Sequence, residues 1–148
     1  MIPTLDHDGN LPPGRHSTTW EDFVKRFGTT LQRKKLLVGM KEMLQSLKQV
    51  GCSRVFIDGS FVTAKVDPGD YDGCWDGAGV DLAKLKRTDP VLLDFRNKRL
   101  LQKLKYGGEM FPADMLEVGS GLVFLEFFER DKDTGNPKGI IEIDLKGI

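Results

Sequence analysis

The chain has 148 residues, 39% hydrophobic and 30% charged, which suits one domain with a single real core and excludes a largely disordered chain. Twenty-two basic residues balance twenty-two acidic ones, so bulk charge names no partner. No apolar run approaches the roughly 20 residues of a membrane helix, the N-terminus lacks the basic start and greasy stretch of a signal peptide, and Cys52 and Cys74 form no CxxC pair, so the expectation is a reduced, cytoplasmic protein with no membrane partner.

Residues 1–17 hold Pro3, Gly9, Pro12, Pro13 and Gly14 and read as an irregular N-terminal arm, leaving 18–148 as one domain. Thr18-Thr19-Trp20-Glu21 has the form of a capping box and should open a short helix to Phe27, stopped by Gly28. A longer helix follows over 31–50, where Leu36, Leu37, Met40, Met43, Leu44 and Leu47 recur at three- and four-residue steps as one apolar stripe. Arg54-Val55-Phe56-Ile57 reads as a strand, 61–66 as a helical turn or two, and Tyr71 to Trp75 as a second strand. Residues 77–94, with Gly77, Gly79 and Pro90, suggest a loop with short helical pieces. A third helix is expected over 95–105, ended by Gly107-Gly108, then a brief strand at 109–111. Residues 122–129 and 139–145 read as strands joined by Asp131-Lys132-Asp133-Thr134-Gly135-Asn136-Pro137, a C-terminal hairpin. Interleaved helices and strands followed by strands alone indicate an α+β domain, a short mixed sheet backed by helices.

Charge is more informative by segment. Residues 67–81 carry five acids and no base, 25–48 carry seven bases against Glu42, and 84–105 carry eight bases against Asp89 and Asp94. An acidic cluster between basic segments suits a site that binds metal ions and then an anionic substrate, although solvated helix faces would give the same distribution.

One stretch carries chemistry. Ile57-Asp58-Gly59-Ser60 is followed, nine residues on, by Asp70-Tyr71-Asp72 entering a strand. Residues two apart on a strand share a face, so Asp70 and Asp72 present both carboxylates to one point. Two hard anionic ligands at one point are what Mg²⁺ takes from a protein, with phosphates and water supplying the rest. Gly59 lets backbone approach a phosphate, which the following amides and the Ser60 hydroxyl can hold. Asp-x-Asp alone is common in turns; Gly-Ser at this spacing with a strand ahead of each half is far more specific.

On these residues the chain resembles the nucleotidyltransferase superfamily of DNA polymerase beta in its minimal form. Ile57 to Lys65, with the later Phe127-Phe128-Glu129-Arg130-Asp131 and Pro137-Lys138-Gly139-Ile140-Ile141, resembles more closely a little-characterised bacterial group of nucleotidyltransferase-like proteins associated with toxin–antitoxin and defence modules. The resemblance implies a nucleotidyltransferase fold and transfer of a nucleoside monophosphate from an NTP, ATP among them, to a hydroxyl of RNA (tRNA) or of a partner protein, with a cognate toxin or antitoxin as a further partner. It implies two Mg²⁺ ions, or Mn²⁺, on Asp70 and Asp72, and a third carboxylate on a strand antiparallel to theirs. Glu109, Asp114 and Glu126 are the candidates, and since the resembled group has an acid-apolar-aromatic strand at this point, matched by Glu109-Met110-Phe111, the resemblance implies Glu109. Gly59, Ser60, Thr63, Lys65 and Lys138 are the nucleotide-binding candidates, with Lys138 equally readable as a solvated turn lysine. Arg96, Lys98, Arg99, Lys103 and Lys105 could face nucleic acid or solvent, and Trp75 could stack on a base or fill the core. A non-catalytic protein-binding module derived from such an enzyme is the competing reading.

Overall fold

The computed structural model describes residues 1–148, and its largest apolar stripe behaves as its spacing predicts. Helix α2 (Leu31–Gln49) buries Leu36, Leu37, Met40, Met43, Leu44 and Leu47 along one side, each burial contributing about 1.5–3 kcal/mol. Its first turn is capped by Thr30, whose side chain accepts from the Arg33 amide. Helix α1 (Trp20–Phe27) adds Phe23 and Phe27 to the same core. Its cap is Thr19, which accepts from the Asp22 amide at 3.1 Å, in place of the expected box on Thr18 and Glu21.

The five strands are β1 (Gly14–Thr19), β2 (Arg54–Asp58), β3 (Tyr71–Trp75), β4 (Gly108–Pro112) and β5 (Gly139–Asp144), in the order β1-β5-β2-β3-β4. Strand β5 runs parallel to β1 and antiparallel to β2; β3 runs antiparallel to β2 and parallel to β4. The sheet is therefore mixed, and the fold is α+β. One face carries Val55, Ile57, Tyr71, Trp75, Met110, Ile141 and Ile143 into the main core with α1 and α2. The opposite face carries Phe56, Cys74, Phe111 and Ile140 into a smaller, aromatic cluster with Phe128. Gly73 stands where sheet and core leave no room, since a Cβ there would lie 2.3 Å from the Phe56 carbonyl oxygen and 2.7 Å from the Met110 sulfur.

Several elements differ from the sequence expectation. The arm over 1–17 contains most of β1, an edge strand held by pairing with β5 and not by an apolar face. Residues 122–129 form no strand. Helix α5 (Phe124–Phe128) occupies them, because Phe124, Phe127 and Phe128 fall at helical spacing onto the aromatic cluster. The C-terminal hairpin is thereby reduced to a single bridge, Arg130 to Pro137. Residues 77–94 hold helix α3 (Leu82–Thr88) and a 3₁₀ turn at Pro90–Leu93, and a second 3₁₀ turn spans Ser60–Val62. Helix α4 (Arg96–Tyr106) begins in a left-handed turn, with Asn97, Lys98 and Arg99 at φ of 51°, 55° and 60°. No helix is long and apolar enough to cross a membrane.

Candidate functional site

Strand β2 ends by delivering Asp58, Gly59 and Ser60 to the edge of the sheet where β3 begins. Gly59 has φ 80° and ψ −166°, a region essentially confined to glycine, and this turns the chain sharply into the Ser60–Val62 turn. A Cβ on Gly59 would sit 2.7 Å from the Asp72 Oδ2, so the carboxylate packs directly over the bare backbone. The segment that carries the chain onward to Asp70 is held from beneath by Arg33. This buried guanidinium donates to five backbone carbonyls: Phe27 at 3.3 Å, Phe61 at 2.6 Å, Thr63 at 2.8 Å, Lys65 at 2.7 Å and Val66 at 3.4 Å. It also lies 5.0 Å from the Phe61 ring centroid. Burial lowers its pKa from the ordinary arginine value. Arg33 thus fixes the spacing between the Gly-Ser turn and the Asp-x-Asp pair.

The strand register sets three acids side by side. Asp58 on β2 pairs with Asp72 on β3, and Asp72 pairs with Glu109 on β4. Directly opposed residues share a face, so the three carboxylates form a row across the sheet, and Asp70, just before β3, is near enough for its charge to act on Asp72. The ends of the row are neutralised. Lys138 Nζ lies 3.0 Å from Asp58 Oδ1, while Arg99 Nε and Lys103 Nζ lie 2.9 and 3.4 Å from Glu109 Oε2. Asp72, in the middle, has no cation partner. Burial, then the carboxylates of Asp70, Glu109 and Asp58, push its carboxyl up to about 7, and a hydrogen bond with Glu109 adds to the rise. Asp58 is also raised, chiefly by burial, against the opposing effects of Lys138 and the Gly59 amide.

The candidates of the sequence separate into two groups. Asp72 and Glu109 come side by side, although β4 runs parallel to β3 and not antiparallel as the resemblance implied, while Asp70 precedes β3. Gly59, Ser60, Thr63 and Lys138 line one hollow of about 250 Å³. Lys65 lies elsewhere, in a separate hollow beside Arg26 and Thr30. Asp114 is exposed beyond β4, and Glu126 is exposed on α5, where it lines another cleft with Glu129. Trp75 is fully buried in the main core, so it offers no stacking surface. The basic segment is largely spent on internal pairs: Arg96 with Asp94, Arg99 and Lys103 with Glu109, Lys105 with Asp89.

Three features were not legible as site residues. Asp58 stands inside the quoted motif, yet only the β2–β3 register shows that it completes the row. Arg33 reads as one base among five on its helix. The phenylalanines at 124, 127 and 128 read as a strand, while in the structure they wall a second hollow of about 240 Å³ that also touches Asp72 and Glu109.

A family model described as Family of unknown function (DUF6932) matches residues 3–144. The chain belongs to that family. The match runs from the N-terminal arm to the end of β5, so the Gly59 turn and the whole acid row fall within DUF6932. No curated protein and no solved structure matches the chain.

As a set of donors, Asp70, Asp72 and Glu109 fit a hard divalent cation: all are carboxylates, and the central one is left without a positive partner. The side chains do not converge on one point as they stand, and no group of three His, Cys, Asp or Glu is disposed to hold an ion. Glu109 is meanwhile paired with Arg99, and Asp58 with Lys138.

Proposed function

We propose that this chain is a metal-dependent nucleotidyltransferase, built on the fold of the DNA polymerase beta superfamily, that moves a nucleoside monophosphate from an NTP to an acceptor hydroxyl on RNA, such as tRNA, or on a partner protein. The observation that carries the reading is the contact between Gly59 and Asp72: the glycine turn suited to phosphate and the carboxylate row suited to a metal are in van der Waals reach. The family resemblance supports a setting in a toxin–antitoxin or phage-defence pair.

In this reading Asp70 and Asp72 hold two Mg²⁺, or Mn²⁺, and Glu109 completes the second site. Bound Mg²⁺ would offset charge on the transferred group and lower the pKa of the acceptor hydroxyl. The Gly59–Ser60 turn orients the β- and γ-phosphates, with Thr63 and Lys138 at the wall of the same hollow. The acceptor oxygen bonds the α-phosphorus, the bond from that phosphorus to the β-bridging oxygen breaks, pyrophosphate leaves, and the hydroxyl proton passes to the carboxylate row. Lys138, now on Asp58, is within reach of the same phosphates. Incubating the protein with each α-labelled NTP, Mg²⁺ and total RNA or lysate tests the reading. Label transferred to a macromolecule, and lost in Asp72→Asn and Glu109→Gln, is the expected result. No transfer with any NTP, under conditions where the protein is folded, would overturn it.

One observation favours a second reading. Arg99 and Lys103 both hold Glu109, so cationic side chains already occupy the third acid. A protein-binding module that has lost catalysis would keep such an arrangement, and it would bind NTP, if at all, without dependence on Mg²⁺.

A further inference from the structure

The two hollows beside the acid row are of opposite character and meet. The first, under Gly59 and Ser60, is polar: Thr63, Lys132 and Lys138 offer a hydroxyl and cations beside the carboxylates of Asp58, Asp131 and Asp133, so an anion there would be carried with a divalent cation. The second is walled by Phe111, Phe124, Phe127 and Phe128. Asp58, Gly59, Lys132 and Lys138 line both, so one ligand can cross from one to the other over Gly59. Together they reach the size of small-molecule sites, roughly 300–1,000 Å³. A ligand that fills them has an anionic tail and a flat apolar head.

The aromatic wall is already organised for stacking. Phe95 lies 5.7 Å from Phe111 with planes 13° apart, and Phe124 lies 3.9 Å from Phe111 with planes 6° apart, so the three rings form a near-parallel column. Phe127 stands edge-on to Phe124, at 6.2 Å and 85°. Phe124 and Phe127 are half-buried, which leaves part of each ring uncovered beside the acids. Of the polar groups beside this wall, Arg99 is held by Glu109, and Glu117 accepts from the Ser120 amide at 2.6 Å. Such a wall can hold a base by its face, while Asp72 and Lys132 stand at the rim of the same hollow.

We infer that the base of the bound nucleotide extends the Phe95–Phe111–Phe124 column, edge-on to Phe127, while its phosphates lie at Gly59–Ser60. This rests on the nucleotidyltransferase reading and specifies its substrate end. Face stacking tolerates sequence because every base offers a π-face, and loss of a stacking ring costs about 5-fold or more in affinity.

Calorimetry with non-hydrolysable ATP and GTP analogues, and with inorganic tripolyphosphate, in Mg²⁺ buffer separates the parts. The wild type should bind both analogues at least about ten-fold tighter than tripolyphosphate. Phe124→Leu, which removes the terminal ring of the column, should lose about 5-fold or more for both analogues and leave tripolyphosphate unchanged. Phe127→Trp, which keeps a ring and does not depend on a hole in the aromatic cluster, should retain affinity, and its added fluorescence should be quenched by nucleotide and not by tripolyphosphate. Unchanged nucleotide affinity in Phe124→Leu, or no quenching in Phe127→Trp, would each overturn the stack. Tripolyphosphate binding with no gain from the base would overturn it while keeping the phosphate site. If the folded wild type binds neither tripolyphosphate nor nucleotide, the enzyme reading fails as well.

Discussion

Replacing Asp72 by Asn should stabilise the metal-free protein, and by an amount that depends on pH. In the folded chain this carboxyl titrates at about 7 against an ordinary 3.8, a rise of about three units. Each unit corresponds to 1.36 kcal/mol, so ionising Asp72 in the fold costs about 4 kcal/mol. The sign follows from proton uptake. Between these two values the folded state binds the proton more tightly than the unfolded one, so the contribution is fully present below about pH 4 and is lost as pH rises through 7. Asn stays neutral and can donate to Glu109 as the protonated acid does. The variant should therefore exceed the wild type by about 4 kcal/mol at pH 8, and by less than about 1 kcal/mol at pH 4, in urea unfolding with EDTA present. At pH 8 this amounts to roughly 8–16 °C in melting temperature. Mg²⁺ should raise the wild-type midpoint and leave Asp72→Asn unmoved, and transferase activity should vanish in the variant. A variant less stable than wild type at pH 8, or a difference that does not change with pH, would refute the charge argument and leave Asp72 a packing residue.

Arg33→Met should destabilise by about 3 kcal/mol or more, read as a shift of the urea midpoint, because it strips a charged donor from five carbonyls. Gly59→Val should lower thermal stability, since it forces φ 80° on a β-branched residue and drives a Cβ into Asp72, whereas Ser60→Ala should keep the fold and weaken nucleotide binding more than metal binding in calorimetry. Cys52, pushed up to about 11 by burial, and Cys74, raised further by burial, should both resist a thiol reagent at pH 8 until the protein is unfolded.

How much of this was legible depended on whether local pattern and tertiary context agreed. The α2 stripe, with its three- and four-residue steps, could only be one face of a helix. The Gly59-Ser60 turn and the Asp70/Asp72 pair were legible because turn chemistry and strand alternation are local properties. The run Val123-Phe124-Leu125 looks like a strand on β-branched and aromatic content alone. Its helical spacing becomes decisive only when Phe111 is known to lie opposite. Strand β1, Gly-Arg-His-Ser-Thr-Thr, has no apolar face to betray it, being an edge strand that is fixed by its neighbour's backbone. The row of acids was half visible. Sequence places Asp70 with Asp72, but the addition of Asp58 and Glu109 is a matter of register between strands far apart in the chain, which no local spacing encodes.

That the fifth strand lies inside the sheet, between the first and the second, governs how the chain can reach its native state. Ser17 Oγ meets Glu142 across 125 residues, and every β1–β5 pair spans a similar separation. Closing so wide a loop costs entropy before any ladder bond offsets it, so this pairing is expected to come late and to slow folding. Until residues 139–144 have left the ribosome, β2 has an open edge, β1 has no partner, and Ile141 and Ile143 are missing from the core. The β2–β3–β4 part that bears the acids can assemble earlier, but Lys138, the cation that neutralises Asp58, arrives only with the closing strand. A nascent chain therefore holds its carboxylate row without the counter-charge on Asp58, which arrives only when the sheet is complete.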